Sequence, residues 1–285
     1  MGKIQVITDS ASDISYENEK RYNIHIIPFP VVIGEKSYLS RVDMDNEGFY
    51  KLMQEQEDVP KTSQITSYQF EELYYECYQK GCTDVILVMI NSKGSATYEN
   101  SLLAIDTFFE EHPECEGKIS IYSHDGRSYS GAYGQPVIKA CQMAEAGASA
   151  EEINRYLEDI LVRRCVYFGI YNLKYAGRSG RIPSAAAFVG DKLGIKPIMK
   201  IWDSEITTAA KCRGEKKVVA KIADMTVAEM EPGSEYQVVY GSDQSCADEM
   251  IQKMTEKVGY GPPEVYQIAV AVAANAGPKG SGVPF

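Results

Sequence analysis

Short apolar runs alternate with longer amphipathic stretches along the first half of the chain. The runs are rich in branched residues and are followed by polar residues or glycine, which predicts buried parallel strands. They lie at residues 3–7, 85–90 and 119–122. The stretches between them have helical spacing and predict helices at residues 46–56, 67–80 and 96–111. This alternation indicates an α/β layer architecture with a parallel sheet.

The pattern changes near Arg164. Two more helices are predicted before it, at residues 128–146 and after Ser149, where Ser149 and Glu152 have capping-box spacing. Beyond it, separated strands are predicted at 166–171, 197–202, 236–240 and 265–272, with helices at 216–230 and 245–258. We therefore predict an N-terminal α/β domain over residues 1–164 and a C-terminal α+β domain over residues 165–285. Because no low-complexity linker separates them, we expect the domains to share a cleft.

The composition narrows the function classes. The 285 residues carry a formal net charge of -11, which disfavours nucleic acid and anionic membrane surfaces as partners. The sequence has no run of about 18 apolar residues, so a membrane-spanning helix is not predicted. The first residues predict a strand rather than an export signal. The seven cysteines are dispersed without a CxxC pair, and the three histidines lack ligand spacing. We expect a cytoplasmic protein with reduced thiols and no metal or other cofactor.

Hydroxyl-rich segments follow the apolar runs. They occupy residues 8–12, 92–97 and 123–126, and a fourth at residues 62–67 opens a predicted helix. Strands that deliver small polar residues to helix starts create a row of hydroxyl and backbone N–H donors, which suits an anionic headgroup. The pattern therefore predicts ligand binding before catalysis.

Asp9 offers a catalytic alternative. An aspartate at the end of a first strand can be a nucleophile or a metal ligand, which would make the protein a small-molecule phosphotransferase or hydrolase. Ser10, Ser12 and Asp13 are, however, preferred helix-capping residues, and capping accounts for the segment without chemistry.

The hydroxyls of Thr62, Ser63 and Ser95 have no adjacent base in the sequence. A serine nucleophile needs a general base oriented by a third group. Neutral hydroxyls suit a carboxylate that must later be released, although helix capping explains them equally well.

A glycine-flanked basic turn at residues 177–182 carries Arg178 and Arg181. It predicts contact with a phosphate or a partner protein, while two solvated arginines are the simpler interpretation. The order of a nucleotide-binding P-loop is absent. The alanine-rich residues 185–190 that follow allow close helix packing or leave room for a ligand, and packing is the simpler interpretation.

Six segments, taken in order, resemble the DegV family of bacterial fatty-acid-binding proteins. They are TDSASD at 8–13, TSQ at 62–64, SKGSATY at 92–98, GRI at 180–182, GIKPI at 194–198 and GP at 277–278. The resemblance implies the two-domain architecture predicted above, with a long-chain fatty acid in a tunnel between the domains. It implies that Thr62 or Ser63, together with Ser95, holds the carboxylate.

The same resemblance implies a partner, a separate fatty acid kinase that uses ATP to make an acyl phosphate. Arg178 and Arg181 would then face the kinase or the phosphate. Because these proteins bind and present a lipid, we expect no catalytic activity from this chain.

Several positions depart from the family pattern. Asn275 stands where a histidine is usual, so the group there can hydrogen-bond but cannot titrate near neutrality. Lys279 replaces a glycine and could supply a donor if it points inward. The other departures are Ile65, Gly94 and Ala96. The glycine-rich residues 275–282 are predicted to be a loop.

Overall fold

A computed structural model describes residues 2–56, 58–182 and 194–285. The first sheet has four parallel strands in the order β2-β1-β6-β7. They are β1 (Ile4–Asp9), β2 (His25–Ile27), β6 (Asp84–Met89) and β7 (Ser120–Asp125). The predicted strands near residues 3–7, 85–90 and 119–122 are therefore confirmed. Because the strands are parallel, β1, β6 and β7 deliver their carboxyl ends to one edge.

A small antiparallel sheet lies beside this edge and was not predicted. Its order is β4-β3-β5, formed by β3 (Pro30–Ile33), β4 (Lys36–Leu39) and β5 (Lys61–Thr62). Val31 in β3 pairs with Thr62 in β5, which fixes the start of the TSQ segment.

Helices cover the first sheet. They are α1 (Tyr16–Arg21), α2 (Asn46–Glu55), α3 (Ser67–Gln79), α4 (Thr97–Glu111), α5 (Gly131–Glu145) and α6 (Ala150–Arg163). The capping box of Ser149 and Glu152 forms as predicted, and Thr66 with Gln69 forms another at the start of α3. Both satisfy backbone N–H groups that the first helical turn leaves open.

A six-stranded mixed sheet follows Arg164 in the order β10-β9-β8-β13-β11-β12. Its strands are β8 (Cys165–Ile170), β9 (Ile195–Trp202), β10 (Glu205–Arg213), β11 (Val238–Tyr240), β12 (Val265–Gln267) and β13 (Gly280–Pro284). Its helices are α7 (Leu173–Ser179), α8 (Val218–Glu229), α9 (Gln244–Val258) and α10 (Val270–Ala276). The alanine-rich residues 185–190 lie outside the described residues.

Two predictions near the C-terminus are wrong. The strand predicted at 265–272 ends at Gln267 and is followed by α10, because the alanine-rich residues after Ala269 favour a helix. The loop predicted at 275–282 begins in α10 and ends in β13, a buried strand paired with β8 and β11. Its glycines are a packing requirement, since a Cβ atom at Gly280 or Gly282 would overlap the ring of Phe168.

The two sheets share one hydrophobic core. The largest buried cluster contains Ile7 and Leu87 of the first sheet together with Val166 and Phe168 of the second. Helix α10 also reaches across and packs against β5 and α2. All strands of the six-stranded sheet follow Arg164, while the exact domain boundary there stays a prediction.

Asp13, four residues after the end of β1, hydrogen-bonds to the C-terminal half of the chain. Its backbone is left-handed at φ 56, and its Oδ1 accepts a hydrogen bond of 2.9 Å from the N–H of Ala269. Oδ2 has no hydrogen-bond partner among the described residues. Burial raises the pKa of this carboxyl to about 7, against the lowering effects of the nearby Ser130 hydroxyl, the Ala269 N–H and the charge of Arg41. Asp13 therefore binds a proton more tightly in the fold than in the unfolded chain.

This gives a pH-dependent prediction. Between pH 4 and pH 7 the folded chain retains a proton at Asp13 that the unfolded chain loses, so this group's contribution to stability falls as pH rises. Asp13→Asn keeps the acceptor for Ala269 and removes the titration. We expect the variant to be more stable than the parent at pH 8 by a few kcal/mol, since one pKa unit is about 1.4 kcal/mol, with little difference at pH 4.

Denaturant unfolding at both pH values measures the effect. The exposed Asp106 in α4 provides the control substitution Asp106→Asn, which should leave the pH profile unchanged. Parallel profiles for Asp13→Asn and the parent would contradict the prediction.

Candidate functional site

A cavity of about 420 Å³ lies between the first sheet and the six-stranded sheet. One wall is apolar and the other carries hydroxyl and amide groups. Apolar side chains of the second sheet form much of the first wall: Val166, Phe168, Ile170, Met199, Ile201, Ile206 and Val239. The volume lies within the usual range for small-molecule sites.

The apolar wall follows from strand periodicity. Val166, Phe168 and Ile170 alternate along β8, so their side chains point to one face of the sheet. Register continues this face onto β9, because Val166 lies opposite Ile201 and Phe168 lies opposite Met199. The result is a continuous apolar surface suited to a hydrocarbon chain.

The polar wall brings together four of the residues selected from the sequence. Thr62 ends β5 and Ser63 follows it, Ser95 precedes α4, and Asn275 lies near the end of α10; all four line the cavity. The structure therefore assembles residues that are more than 200 positions apart in the chain. Thr62 and Ser63 make no side-chain hydrogen bond within the described part of the chain, so their hydroxyls are open to a ligand.

Thr97 fixes two polar segments relative to each other. Its fully buried Oγ1 accepts a hydrogen bond of 3.2 Å from the N–H of Ile65 and lies 2.9 Å from Ser95 Oγ. The Asn100 amide donates to the Ile65 carbonyl at 2.7 Å. The TSQ segment is thus held against the start of α4. The departure Ile65 is fully buried and anchors this segment.

The segment before Ser95 is fixed by Asn91 and Asp125. The Asn91 side chain accepts from Lys93 N–H at 2.9 Å. Asp125 accepts from the backbone N–H of Ser92 at 3.0 Å and from its hydroxyl at 2.6 Å. The sequence analysis assigned no individual role to a residue at 123–126. In the structure, Asp125 holds the segment that precedes Ser95.

Asn275 lines the cavity, and its side chain also hydrogen-bonds within α10. Its Nδ2 donates to the carbonyl of Ala271 in the preceding turn at 2.9 Å. Part of the amide's donor capacity is therefore used by its own helix. The neutral side chain supplies hydrogen-bonding groups but no charge to the site.

Lys279 does not point into the cavity. Its ammonium lies 3.0 Å from Glu215 and 3.2 Å from Asp243, and it faces the ring of Tyr171. These carboxylates raise the pKa of Lys279 and keep it charged. The suggestion that it supplies a donor to the ligand is not supported by this geometry.

The structure separates the two arginines of the basic turn. Arg181 is exposed and lines the cavity, and its guanidinium donates to the Ser179 carbonyl at 2.8 Å. Arg178 is exposed near the end of α7 and does not line the cavity. Gly180 at φ 70 ends α7 between them and turns the chain towards the cavity.

Asp9 is placed as a structural residue. It is fully buried and accepts hydrogen bonds from Ala11 N–H at 2.9 Å, Ile90 N–H at 2.7 Å and the Tyr133 hydroxyl at 2.6 Å. Burial raises its pKa to about 6 despite these bonds. It does not line the cavity, so the geometry favours capping over phosphoryl transfer.

Among the described residues, no group of three or more histidines, cysteines or acidic residues is arranged to hold a metal ion. None of the helices within residues 2–56, 58–182 and 194–285 has the length and apolarity needed to cross a membrane.

Sequence reasoning missed the cavity residues Tyr129 and Ser130. They belong to the connection between β7 and α5, and both line the cavity. We predicted a helix from residue 128, but α5 begins at Gly131. A cluster of glycine, serine and tyrosine before a helix start was the available signal for a loop.

The fold and site define a two-domain α/β protein with an interdomain cavity, polar on one side and apolar on the other. Residues 3–285 match the family described as "Uncharacterised protein, DegV family". The chain belongs to the DegV family, as the six sequence segments indicated.

Individual relatives extend over the whole chain. A DegV domain-containing protein of Caldanaerobacter subterraneus is 31% identical over 291 residues, covering 100% of this chain and 99% of its own length. A stearic-acid-binding protein from Eubacterium ventriosum has the same fold, with a TM-score of 0.90, 21% identity and coverage of 99% and 97% of the two chains. DegV of Bacillus subtilis, described as a fatty acid binding protein, has a TM-score of 0.85 and 25% identity, with coverage of 100% and 99%.

Proposed function

We propose that this protein binds a long-chain fatty acid in the interdomain cavity. The carboxylate is held by the hydroxyls of Thr62, Ser63 and Ser95, and the acyl tail lies against the apolar face of the second sheet. The observation that carries the proposal is the division of one cavity into a hydroxyl-lined side and a continuous hydrocarbon-like side. The fatty acid binding described for Bacillus subtilis DegV supports it.

The chemistry of the polar side favours binding over catalysis. Among the described residues, no histidine or carboxylate hydrogen-bonds to the hydroxyls of Thr62, Ser63 or Ser95, so these three hydroxyls lack a general base. Neutral donors hold a carboxylate without forming a buried ion pair, whose disruption would be costly. We infer a lipid carrier that does not itself transform its ligand and needs no cofactor.

The cysteines support a reducing compartment. All seven are free and buried, and disulfides are rare where thiols are kept reduced. We therefore propose a cytoplasmic location for the lipid-bound protein.

Lipid extraction tests the function directly. We expect a long-chain fatty acid in a denaturing extract of purified protein analysed by mass spectrometry, and stoichiometric reloading of the stripped protein. The absence of any co-purified or rebound amphiphile would contradict the proposal.

Ser95 provides the residue-level prediction. Ser95→Ala removes a hydroxyl from the polar wall, and we expect fatty acid affinity to fall by about 1 to 3 kcal/mol, the cost of losing a hydrogen bond to a charged group. Displacement of a fluorescent fatty acid measures it. Ser120→Ala, at the exposed start of β7 and the opposite edge of the sheet, is the control. Equal affinities for Ser95→Ala and the parent would remove Ser95 from the site.

We further propose that the protein presents the bound carboxylate to a separate fatty acid kinase. Transfer of the γ-phosphoryl group of ATP to a carboxylate oxygen would give an acyl phosphate and ADP. The exposed positions of Arg178 and Arg181 support a docking role, and Arg181 at the cavity would also face the phosphoryl group. Ser63 and Gln64 are exposed beside the same cavity.

Acyl phosphate formation with a purified fatty acid kinase and ATP tests this step. We expect Arg178→Ala to lower the rate at limiting kinase by about tenfold, equivalent to about 1.4 kcal/mol of docking energy, with fatty acid affinity unchanged. Arg181→Ala should lower the rate at least as much. Arg155→Ala, on the exposed face of α6, is the matched control. Failure of the loaded parent protein to yield acyl phosphate would contradict presentation to the kinase while leaving fatty acid binding intact.

A further inference from the structure

Tyr129 lies against the backbone of the segment that carries Ser95. A Cβ atom at Gly94 would overlap the Tyr129 hydroxyl oxygen and would lie 3.2 Å from the ring atoms Cε1 and Cζ. Only glycine at position 94 leaves the space that the phenol occupies. The Tyr129 hydroxyl therefore contacts the residue next to Ser95, which is proposed to hold the ligand carboxylate.

The position of the phenol connects it to the cavity. Tyr129, Gly94, Ser95 and Arg181 all line it. The positive charge of Arg181 lowers the pKa of Tyr129, which indicates that the guanidinium and the phenol are neighbours. Tyr129 thus stands on the polar side of the cavity, between the Ser95 segment and the basic turn.

The phenol is suited to donate a hydrogen bond. Burial and the nearby Asp125 raise the pKa of Tyr129 to about 12, so the hydroxyl keeps its proton at neutral pH. The Tyr129 hydroxyl donates no hydrogen bond within the described part of the chain, so its proton is available to an acceptor in the cavity.

We propose that the Tyr129 hydroxyl donates a hydrogen bond to the ligand carboxylate and, together with Gly94, makes this site selective for ionised over neutral headgroups. This inference rests on the proposed fatty acid binding. Hydrogen bonds to a charged acceptor are shorter and about twice as strong as neutral ones. A phenol added to the aliphatic hydroxyls therefore favours the carboxylate over an alcohol of the same chain length.

The test compares octadecanoic acid with octadecan-1-ol by displacement of a fluorescent fatty acid at pH 8. Tyr129→Phe retains the ring and removes the hydroxyl. We expect a loss of affinity for the acid of about tenfold or more, the lower range for a hydrogen bond to a charged group, and a loss of less than about threefold for the alcohol. Tyr98→Phe is the control, because Tyr98 is half-buried near the start of α4 but does not line the cavity.

Gly94→Ala tests the second half of the proposal. The added methyl group should displace the phenol and reproduce the selective loss for the acid. In a Tyr129→Phe background the same change should have little further effect, because the hydroxyl it displaces is already gone. Thermal unfolding of each variant establishes that the fold is retained.

Three outcomes would overturn this inference and leave the proposed fatty acid binding intact. They are unchanged affinity of Tyr129→Phe for the acid, equal losses of affinity for acid and alcohol in Tyr129→Phe, or a loss in Tyr98→Phe equal to that in Tyr129→Phe. Additive effects of the Gly94 and Tyr129 changes would overturn the role assigned to Gly94. If the parent protein binds neither ligand and contains no extractable lipid, the proposed function fails and this inference fails with it.

Discussion

The buried hydroxyl of Thr97 joins the two segments on which the polar side of the cavity depends. One segment starts at the end of β5 and carries Thr62 and Ser63, and the other precedes α4 and carries Ser95. Thr97 contacts both through Ile65 N–H and Ser95 Oγ. Because this hydroxyl is fully buried, removing it leaves a buried N–H without a partner, which typically costs about 1–3 kcal/mol. The local geometry of the site is therefore tied to the stability of the fold.

The apolar side depends on a different constraint, the close approach of strands in the second sheet. Phe168 lies over β13 only because Gly280 and Gly282 have no side chains. Its ring then faces the cavity beside Met199, its partner across the strand pair. A larger residue at position 280 or 282 would push this ring into the cavity or separate the strands. The glycines in a fully buried strand are thus explained by the shape of the cavity.

The sequence predicted elements well where the pattern was long or the burial complete. β6 is buried along nearly its whole length, and α6 has a capping box and a strong apolar face, so both were found close to their observed bounds. The strands of the small sheet have two to four residues, too few for a period to be recognised. β13 was missed because glycine lowers strand propensity and usually marks turns. Helix α10 was taken for strand because short apolar runs fit both structures.

The site residues were predicted from short motifs rather than from hydrophobic periodicity, so residues outside the motifs were missed. Thr62, Ser63 and Ser95 were named from their chemistry and the family resemblance, and the structure brings them to one cavity. Tyr129 could not be found in this way. Its position depends on the absence of a side chain at Gly94, 35 positions earlier in the chain, and such long-range complementarity leaves no local signal.

The edge formed by β1 and β6 shows why polar residues at strand ends do not share one function. Asp9 ends β1 and the Ser92–Thr97 segment follows β6, yet three donors surround the Asp9 carboxyl, which is fully buried. A group with its hydrogen bonds satisfied inside the fold stabilises the edge but cannot exchange partners with a ligand. Thr62 and Ser63 have no such internal partners within the described residues, and they lie at the cavity. Burial and hydrogen-bond saturation, rather than residue type, therefore separate the residues that build this edge from those able to hold a carboxylate.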